Sequence, residues 1–255
     1  MERLSDNIEN DLLNLNSISH PIDYKWSDKI LGKFANTTDK HPRLENALCK
    51  IGYKASIGLG ASMSELIFRR LNGSQELTDE MIQDIKYRLD AMWISSIDPL
   101  YVYLLRYNSR KESSEGEIHG PLWIMLSDIE LLSFKFNEKS YYIHEHIVGI
   151  SLLSEYLSPQ KKIFREWFTN ILKKASEVYP CSYDYDNDDL DGKYDYSNEP
   201  PVFREFFFGS EPYDEEVAKQ KAREFMQSVK DSGNPYLRSP EEMIELGFKG
   251  TPYTI

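Results

Sequence analysis

The stretch SPQKKIFREWFTNILKKASEV, residues 158–178, repeats apolar side chains at intervals of three and four residues. This spacing places the apolar side chains on one face of an amphipathic α-helix. Ser158 suits the N-cap and Pro159 suits the first turn, so the helix should begin there. Its predicted buried face consists of Ile163, Phe164, Trp167, Phe168, Ile171, Leu172, Ala175 and Val178.

The opposite face of this helix is basic. Its cationic residues are Lys161, Lys162, Arg165, Lys173 and Lys174. An acidic stretch follows shortly afterwards, so local charge balance is one explanation for this face. A separate anion-binding site is the other.

The same periodicity recurs along most of the chain and predicts an all-α fold of about eight helices without a strand pair. The further helical patterns cover residues 4–15, 43–71, 78–97, 121–136, 141–157, 214–229 and 240–246. A break near Gly58 and Gly60 would divide residues 43–71 into two helices. We assign LYVYLLRY, residues 100–107, to a helix from its context, although a strand would also fit.

Four small residues lie at strict four-residue spacing within residues 43–71: Gly52, Ser56, Gly60 and Ser64. On a helix they would line one face and let a second helix approach closely. The nearby run IGLGAS matches neither glycine-rich phosphate-binding pattern. We therefore interpret these small residues as a packing feature.

We expect residues 1–255 to form a single domain with three parts. Residues 1–180 would form a helical core, residues 181–212 an irregular acidic and aromatic segment, and residues 213–255 the C-terminal helices and tail. Within the irregular segment, Phe206, Phe207 and Phe208 would anchor the chain on the core.

Composition narrows the classes of function. The chain has 255 residues, 40% of them apolar and 28% charged, with a net charge of −12. It has no run of 18 apolar residues, and its N-terminus lacks the basic start and apolar stretch of a signal peptide, so we expect a cytoplasmic protein. A pI near 5.0 argues against nucleic acid and anionic membranes as partners. Cys49 and Cys181 should be free thiols.

The most unusual stretch is YDYDNDDLDGKYDYSNE, residues 183–199, which we call the acidic segment. Its seven carboxylates and one lysine give a net charge of −6, half that of the chain. Such dense carboxylates repel one another and must stay in water, so we expect an exposed loop. A merely solvated insert is the alternative interpretation.

We predict that the acidic segment binds a partner protein. Its aspartates would pair with the partner's Lys and Arg side chains, and its tyrosines would supply packing area. A basic cleft, such as that of a nuclease, would suit this surface. The predicted contact residues are Asp184, Tyr185, Asp186, Asp188, Asp189, Asp191, Tyr194, Asp195 and Tyr196.

Two sequence patterns partly resemble metal-binding sites, but neither supplies the set of ligands that such a site requires. We therefore predict neither a metal nor another cofactor. His144 and His146 would point in different directions on a helix. Residues 187–198 place Asn187, Asp189 and Asp191 like a calcium loop but end on an asparagine instead of a glutamate. A divalent-metal-dependent enzyme or regulatory protein that uses the acidic segment remains the alternative to a binding protein.

Two stretches resemble bacterial immunity proteins of polymorphic and contact-delivered toxin systems. They are DAMWISSIDPLYVYLLRY, residues 90–107, and NPYLRSPEEMIELGFKGTPY, residues 234–253. The resemblance implies a cytoplasmic, non-enzymatic protein that binds one cognate toxin, often a nuclease, and blocks its active site. It assigns no individual residue a role.

Overall fold

The fold is all-α, as the sequence predicts. The structure is a computed structural model that describes residues 21–35, 37, 40–110, 112–184, 191–209 and 213–255. Among them are ten α-helices: α1 (Asp28–Phe34), α2 (Pro42–Leu48), α3 (Tyr53–Leu71), α4 (Asp79–Ile97), α5 (His119–Glu138), α6 (Glu145–Leu157), α7 (Lys161–Val178), α8 (Glu205–Phe208), α9 (Glu215–Lys230) and α10 (Pro240–Glu245). The helix predicted over residues 4–15 lies outside the described residues.

Helix α3 is the centre of the fold. Every residue of it except Arg69 is buried, and it packs against α4, α5 and α6. Its small residues make this close packing possible: a Cβ atom at Gly60 would lie 2.6 Å from Cδ2 of Leu132 in α5. The prediction that small residues serve packing here is therefore confirmed at Gly60.

Three charged residues of α3 are buried, and each bonds to a segment outside the helix. Lys54 donates to the backbone carbonyl of Glu199 at 3.0 Å. Glu65 accepts from Nε of Arg204 at 2.8 Å. Arg70 donates to the carbonyl of Leu157 at 3.2 Å. Since an unpartnered buried charge is costly, these bonds help to fix where the surrounding segments lie.

The predicted break near Gly58 and Gly60 is wrong. The chain leaves the helical path earlier, between α2 and α3, where Ile51 forms an isolated antiparallel bridge with Pro180. The N–H of Gly52 donates to the carbonyl of Tyr179 at 2.7 Å. The backbone N–H of Gly52, which would continue the helix, thus forms its hydrogen bond with the distant segment that contains Tyr179 and Pro180.

The helix assigned to residues 100–107 is also wrong. A 3-10 turn at Pro99–Tyr101 is followed by extended chain, and Val102 bridges to Leu237. The N–H of Tyr103 donates to the carbonyl of Tyr236 at 2.9 Å. The C-terminal chain thus takes the backbone hydrogen bonds that a helix would have made internally.

Several local signals are confirmed. Ser239 forms a full capping box with Glu242 at the start of α10. The carboxylate of Asp214 accepts the first backbone N–H groups of α9. Phe206 and Phe207 are fully buried, so this aromatic run anchors the irregular segment on the core as expected.

Candidate partner-binding surface

The structure describes the acidic segment at its two ends, residues 183–184 and 191–199. Four of the predicted contact residues, Tyr185, Asp186, Asp188 and Asp189, lie outside the described residues. The other five are Asp184, Asp191, Tyr194, Asp195 and Tyr196. These five residues and the residues that hold them form the candidate surface.

Tyr194 and Tyr196 point into the protein. Their exposed fractions are 4% and 5%, and their rings stack on that of Tyr53 with centroid distances of 5.0 and 5.4 Å. Burial raises the pKa of both phenols. The prediction that these two rings supply packing area to a partner must be corrected, because stacking on α3 already uses their faces.

Tyr183 anchors the other described end. Its hydroxyl donates to the carbonyl of Tyr141 at 3.0 Å, and its ring meets those of Tyr141 and Tyr194 at centroid distances of 5.0 and 4.8 Å. Aromatic pairs at such distances stabilise each other beyond their buried area. Both ends of the acidic segment are thus held by one cluster of tyrosines.

Glu199 fastens the segment to the N-terminus of α3. Its carboxylate accepts the backbone N–H groups of Tyr53 at 2.9 Å and Lys54 at 2.8 Å. The hydroxyl of Tyr194 donates to the same carboxylate. A negative charge at this position satisfies unpaired N–H groups and interacts favourably with the helix dipole.

The aspartates point the other way. Asp184, Asp191 and Asp195 are all exposed. Hydrogen bonds from Ser197 lower the pKa of Asp195, and the positive charges of Lys139 and Lys249 act in the same direction. The described ends of the segment therefore separate their side chains: the rings and the Glu199 carboxylate point inward, and the aspartates point outward.

Sequence reasoning missed the orientation of the tyrosines and the role of Glu199. The alternation of Tyr194, Asp195 and Tyr196 was the available signal, because successive side chains of an extended chain point to opposite sides. No comparable signal exists for Glu199. Its partner Tyr53 lies 146 residues away in the sequence.

The histidine pair lies at the start of α6. His144 Nε2 is 3.3 Å from Sγ of Cys49, and His146 lies in the first turn of the helix. Burial lowers the pKa of each imidazole to about 4. In the described part of the chain, no three His, Cys, Asp or Glu side chains form a group that could hold a metal.

A second pair of interacting carboxylates consists of Glu65 in α3 and Asp90 in α4. Burial and the charge of Glu65 raise the pKa of Asp90 to about 6. Burial alone would also raise the pKa of Glu65, but hydrogen bonds and charges from Arg204 and Arg69 outweigh it and lower that pKa. Arg204 and Trp93 donate to the same oxygen of Glu65. Glu65 therefore serves as a structural ion-pair partner.

Comparisons with protein-family models, curated proteins and solved structures give no match. No helix in the described ranges is both long and apolar enough to cross a membrane.

Proposed function

We propose that this protein is a non-enzymatic, cytoplasmic binding protein that captures a cationic partner protein with its acidic segment. In this proposal it acts as an immunity protein that neutralises a cognate toxin. The observation that carries the proposal is the division of the segment into inward rings and outward aspartates. Asp184, Asp191 and Asp195 are exposed, whereas Tyr194 and Tyr196 are buried.

This division favours binding for an energetic reason. The bonds of Glu199 to α3 and the contact of Tyr183 with Tyr141 hold the described ends of the segment before a partner arrives. Attachment at both ends reduces the conformational entropy that binding must remove. Carboxylates presented in this way can pair with cations at a lower ordering cost than the same residues in an unattached tail.

The chemistry of the partner follows from the charges. Dense carboxylates suit a cleft lined with Lys and Arg, such as a nuclease active site that normally holds phosphates. The buried tyrosines leave the aspartates as the main contacts, so recognition should be chiefly electrostatic. Electrostatic attraction also speeds the encounter, which an inhibitor of a lethal enzyme requires.

A capture experiment with a charge-matched control tests this proposal. The immobilised protein is exposed to native cell lysate and compared with two variants of equal net charge. In the test variant, Asn replaces Asp184, Asp186, Asp188, Asp189, Asp191 and Asp195. In the control variant, the corresponding amides replace Glu115, Glu166, Glu177, Glu224, Asp231 and Glu245, which are all exposed.

We expect one stoichiometric partner on the wild-type protein and on the control variant, and none on the test variant. Purified partner should then lose its toxic activity in proportion to added wild-type protein. Equal capture by all three proteins would contradict the role of the acidic segment.

The metal-dependent alternative makes a different prediction. Calorimetry with calcium, magnesium and zinc would give micromolar binding that disappears in Asp189→Ala and Asp191→Ala. Our proposal predicts no such binding.

A further inference from the structure

A cavity of about 460 Å³ lies between the C-terminal half of α3 and the middle of α4, and Arg204 and Phe225 complete its lining. Its size falls within the range of small-molecule sites, roughly 300 to 1,000 Å³. None of the described residues of the acidic segment lines it. Whatever this cavity binds is therefore separate from the proposed capture of a protein partner.

One of the two carboxylates in the cavity wall, that of Glu65, is already used by the fold. It accepts hydrogen bonds from Nε1 of Trp93 at 3.1 Å and from Nε of Arg204 at 2.8 Å. Nε of Arg69 donates to its other oxygen at 2.9 Å. Two arginines on one carboxylate leave an excess positive charge. The side chain of Arg69 is 42% exposed, and its Nη1 group makes no hydrogen bond within the described ranges, so it can bind an anion in the cavity.

The other carboxylate, that of Asp90 in α4, is partly buried without a partner. It forms no hydrogen bond or ion pair with any residue that the structure describes. Lys86 lies one turn earlier on the same side of α4 and lines the cavity, but it does not pair with Asp90. Burial of a charge without a partner is unfavourable, so Asp90 favours a cation in the cavity.

Apolar side chains supply much of the remaining lining. Phe68 and Leu89 line the cavity from the two helices, and each is 6% exposed. Phe225 of α9 is only partly buried, and no aromatic ring or cation among the described residues lies against its ring. This ring therefore offers an apolar surface to a ligand.

We propose that this cavity binds a free α-amino acid with a large apolar side chain. The ammonium group of the amino acid pairs with Asp90, and its carboxylate binds Arg69 and Lys86. Its side chain packs against Phe225. Charges of both signs line the cavity, yet in the described part of the chain neither Arg69 nor Lys86 pairs with Asp90. A ligand with an ammonium group and a carboxylate on one carbon atom satisfies both charges, whereas an amine or a carboxylate alone satisfies only one.

Three analogues that each lack one part of the ligand provide the first test. Calorimetry at low ionic strength would compare L-phenylalanine with phenethylamine, which lacks the carboxylate, and with 3-phenylpropanoate, which lacks the ammonium group. Glycine keeps both charges but lacks the side chain. We expect phenylalanine to bind the wild-type protein at least about tenfold more tightly than any of the three.

Two aspartates of the same helix provide matched variants. Asp90 lines the cavity, whereas Asp79 is exposed at the start of α4 and lies outside the lining. Neither side chain makes a hydrogen bond in the described structure, so both variants should fold. Phenylalanine should bind about tenfold more weakly to Asp90→Asn and with less than about a twofold change to Asp79→Asn.

The pH dependence of the affinity gives a second measurement. The other charged side chains in the cavity wall are Glu65, Arg69, Lys86 and Arg204. The arginines lower the pKa of Glu65, and Lys and Arg side chains remain cationic between about pH 5 and about pH 7.5. Burial raises the pKa of Asp90 to about 6, so its charge is lost in this range. The affinity of the wild-type protein for phenylalanine should therefore fall about tenfold from pH 7.5 to pH 5, and that of Asp90→Asn should stay nearly constant.

Three results would overturn the proposal. The first is no detectable binding of phenylalanine at concentrations up to about 10 mM. The second is an analogue that binds as tightly as phenylalanine, because one of the three parts of the ligand would then not be recognised. The third is an unchanged affinity for phenylalanine in Asp90→Asn. None of these results bears on capture by the acidic segment.

Discussion

The carboxylate of Glu199 accepts the backbone N–H of Lys54 at 2.8 Å, and the ammonium group of Lys54 donates back to the carbonyl of Glu199 at 3.0 Å. These reciprocal bonds join the end of the acidic segment to the first turn of the buried helix α3. Burial lowers the pKa of Lys54, whereas the charges of Asp98 and Glu199 oppose that shift. The most acidic part of the surface is thus tied to the centre of the core.

Removing the Glu199 carboxylate should destabilise the fold. Glu199→Ala leaves two N–H groups at the start of α3 without their acceptor, which should cost about 1 to 3 kcal/mol. Urea unfolding would measure this change in the free energy of unfolding. Glu166→Ala is the control, because its exposed pair with Lys162 should contribute less than about 1 kcal/mol. Equal effects of the two substitutions would contradict the anchoring role of Glu199.

Two glycines should respond in opposite directions to alanine. A Cβ atom at Gly58 would lie 2.7 Å from the ring of Phe207, which is fully buried and has little room to move. Gly58→Ala should therefore destabilise the protein by about 1 to 3 kcal/mol, despite the better helix propensity of alanine.

At Gly32 in α1, no atom of the described structure lies within 4 Å of such a Cβ. Gly32→Ala should stabilise the protein by about 0.4 to 1 kcal/mol, because alanine restricts the unfolded chain. Thermal unfolding of the two variants would measure both shifts. A stabilising Gly58→Ala would show that the contact between α3 and Phe207 is looser than described.

Asp128 in α5 should make stability depend on pH. Its carboxyl group is fully buried, and within the described part of the chain its Oδ2 atom has no hydrogen-bond partner. Burial raises its pKa well above the ordinary value. The folded protein holds the proton of Asp128 more tightly than the unfolded chain does. The stability that this proton contributes is therefore fully present below the pKa of Asp128 in the unfolded chain, and it is lost as the pH rises through the pKa of Asp128 in the folded protein.

Asp128→Asn removes this titration while nearly preserving the shape of the side chain. Relative to the variant, the wild-type protein should lose up to about 1.4 kcal/mol of stability per pH unit above about pH 4, until the folded pKa is passed. Urea unfolding at several values between about pH 5 and about pH 8 would measure the difference. If the free energies of unfolding of the wild-type protein and of Asp128→Asn changed with pH in the same way, the pKa of Asp128 would not be raised in the folded protein.

Sequence periodicity predicts helices whose buried residues recur at regular intervals within the helix itself. It gives α4 and α9 with their N-caps, Thr78 and Asp214. For α7 it gives the apolar face but not the start, because Ser158 follows the end of α6 and α7 begins only at Lys161. It fails between α2 and α3, where the bridge between Ile51 and Pro180 ends the helix. This pairing joins residues far apart in the sequence, so no local window contains it.

The same limit applies to the candidate surface. Composition alone indicates that the carboxylates of the acidic segment must be exposed, which is right for Asp184, Asp191 and Asp195 but wrong for Glu199, whose carboxylate bonds to the first turn of α3. It does not reveal the direction of Tyr194, because a tyrosine suits either an interface or a core. Its burial depends on Tyr53, which lies in another part of the chain.

The association rate of the captured partner at increasing salt concentration tests the central claim most directly. For the wild-type protein we expect rapid association that slows steeply with ionic strength, because exposed carboxylates steer a cationic partner. The variant with six Asn substitutions in the acidic segment should associate at least about tenfold more slowly at low salt and depend little on salt. The control variant should retain the rate and most of the salt dependence. Identical rates and salt dependence for the wild-type protein and the six-Asn variant would contradict capture by the acidic segment.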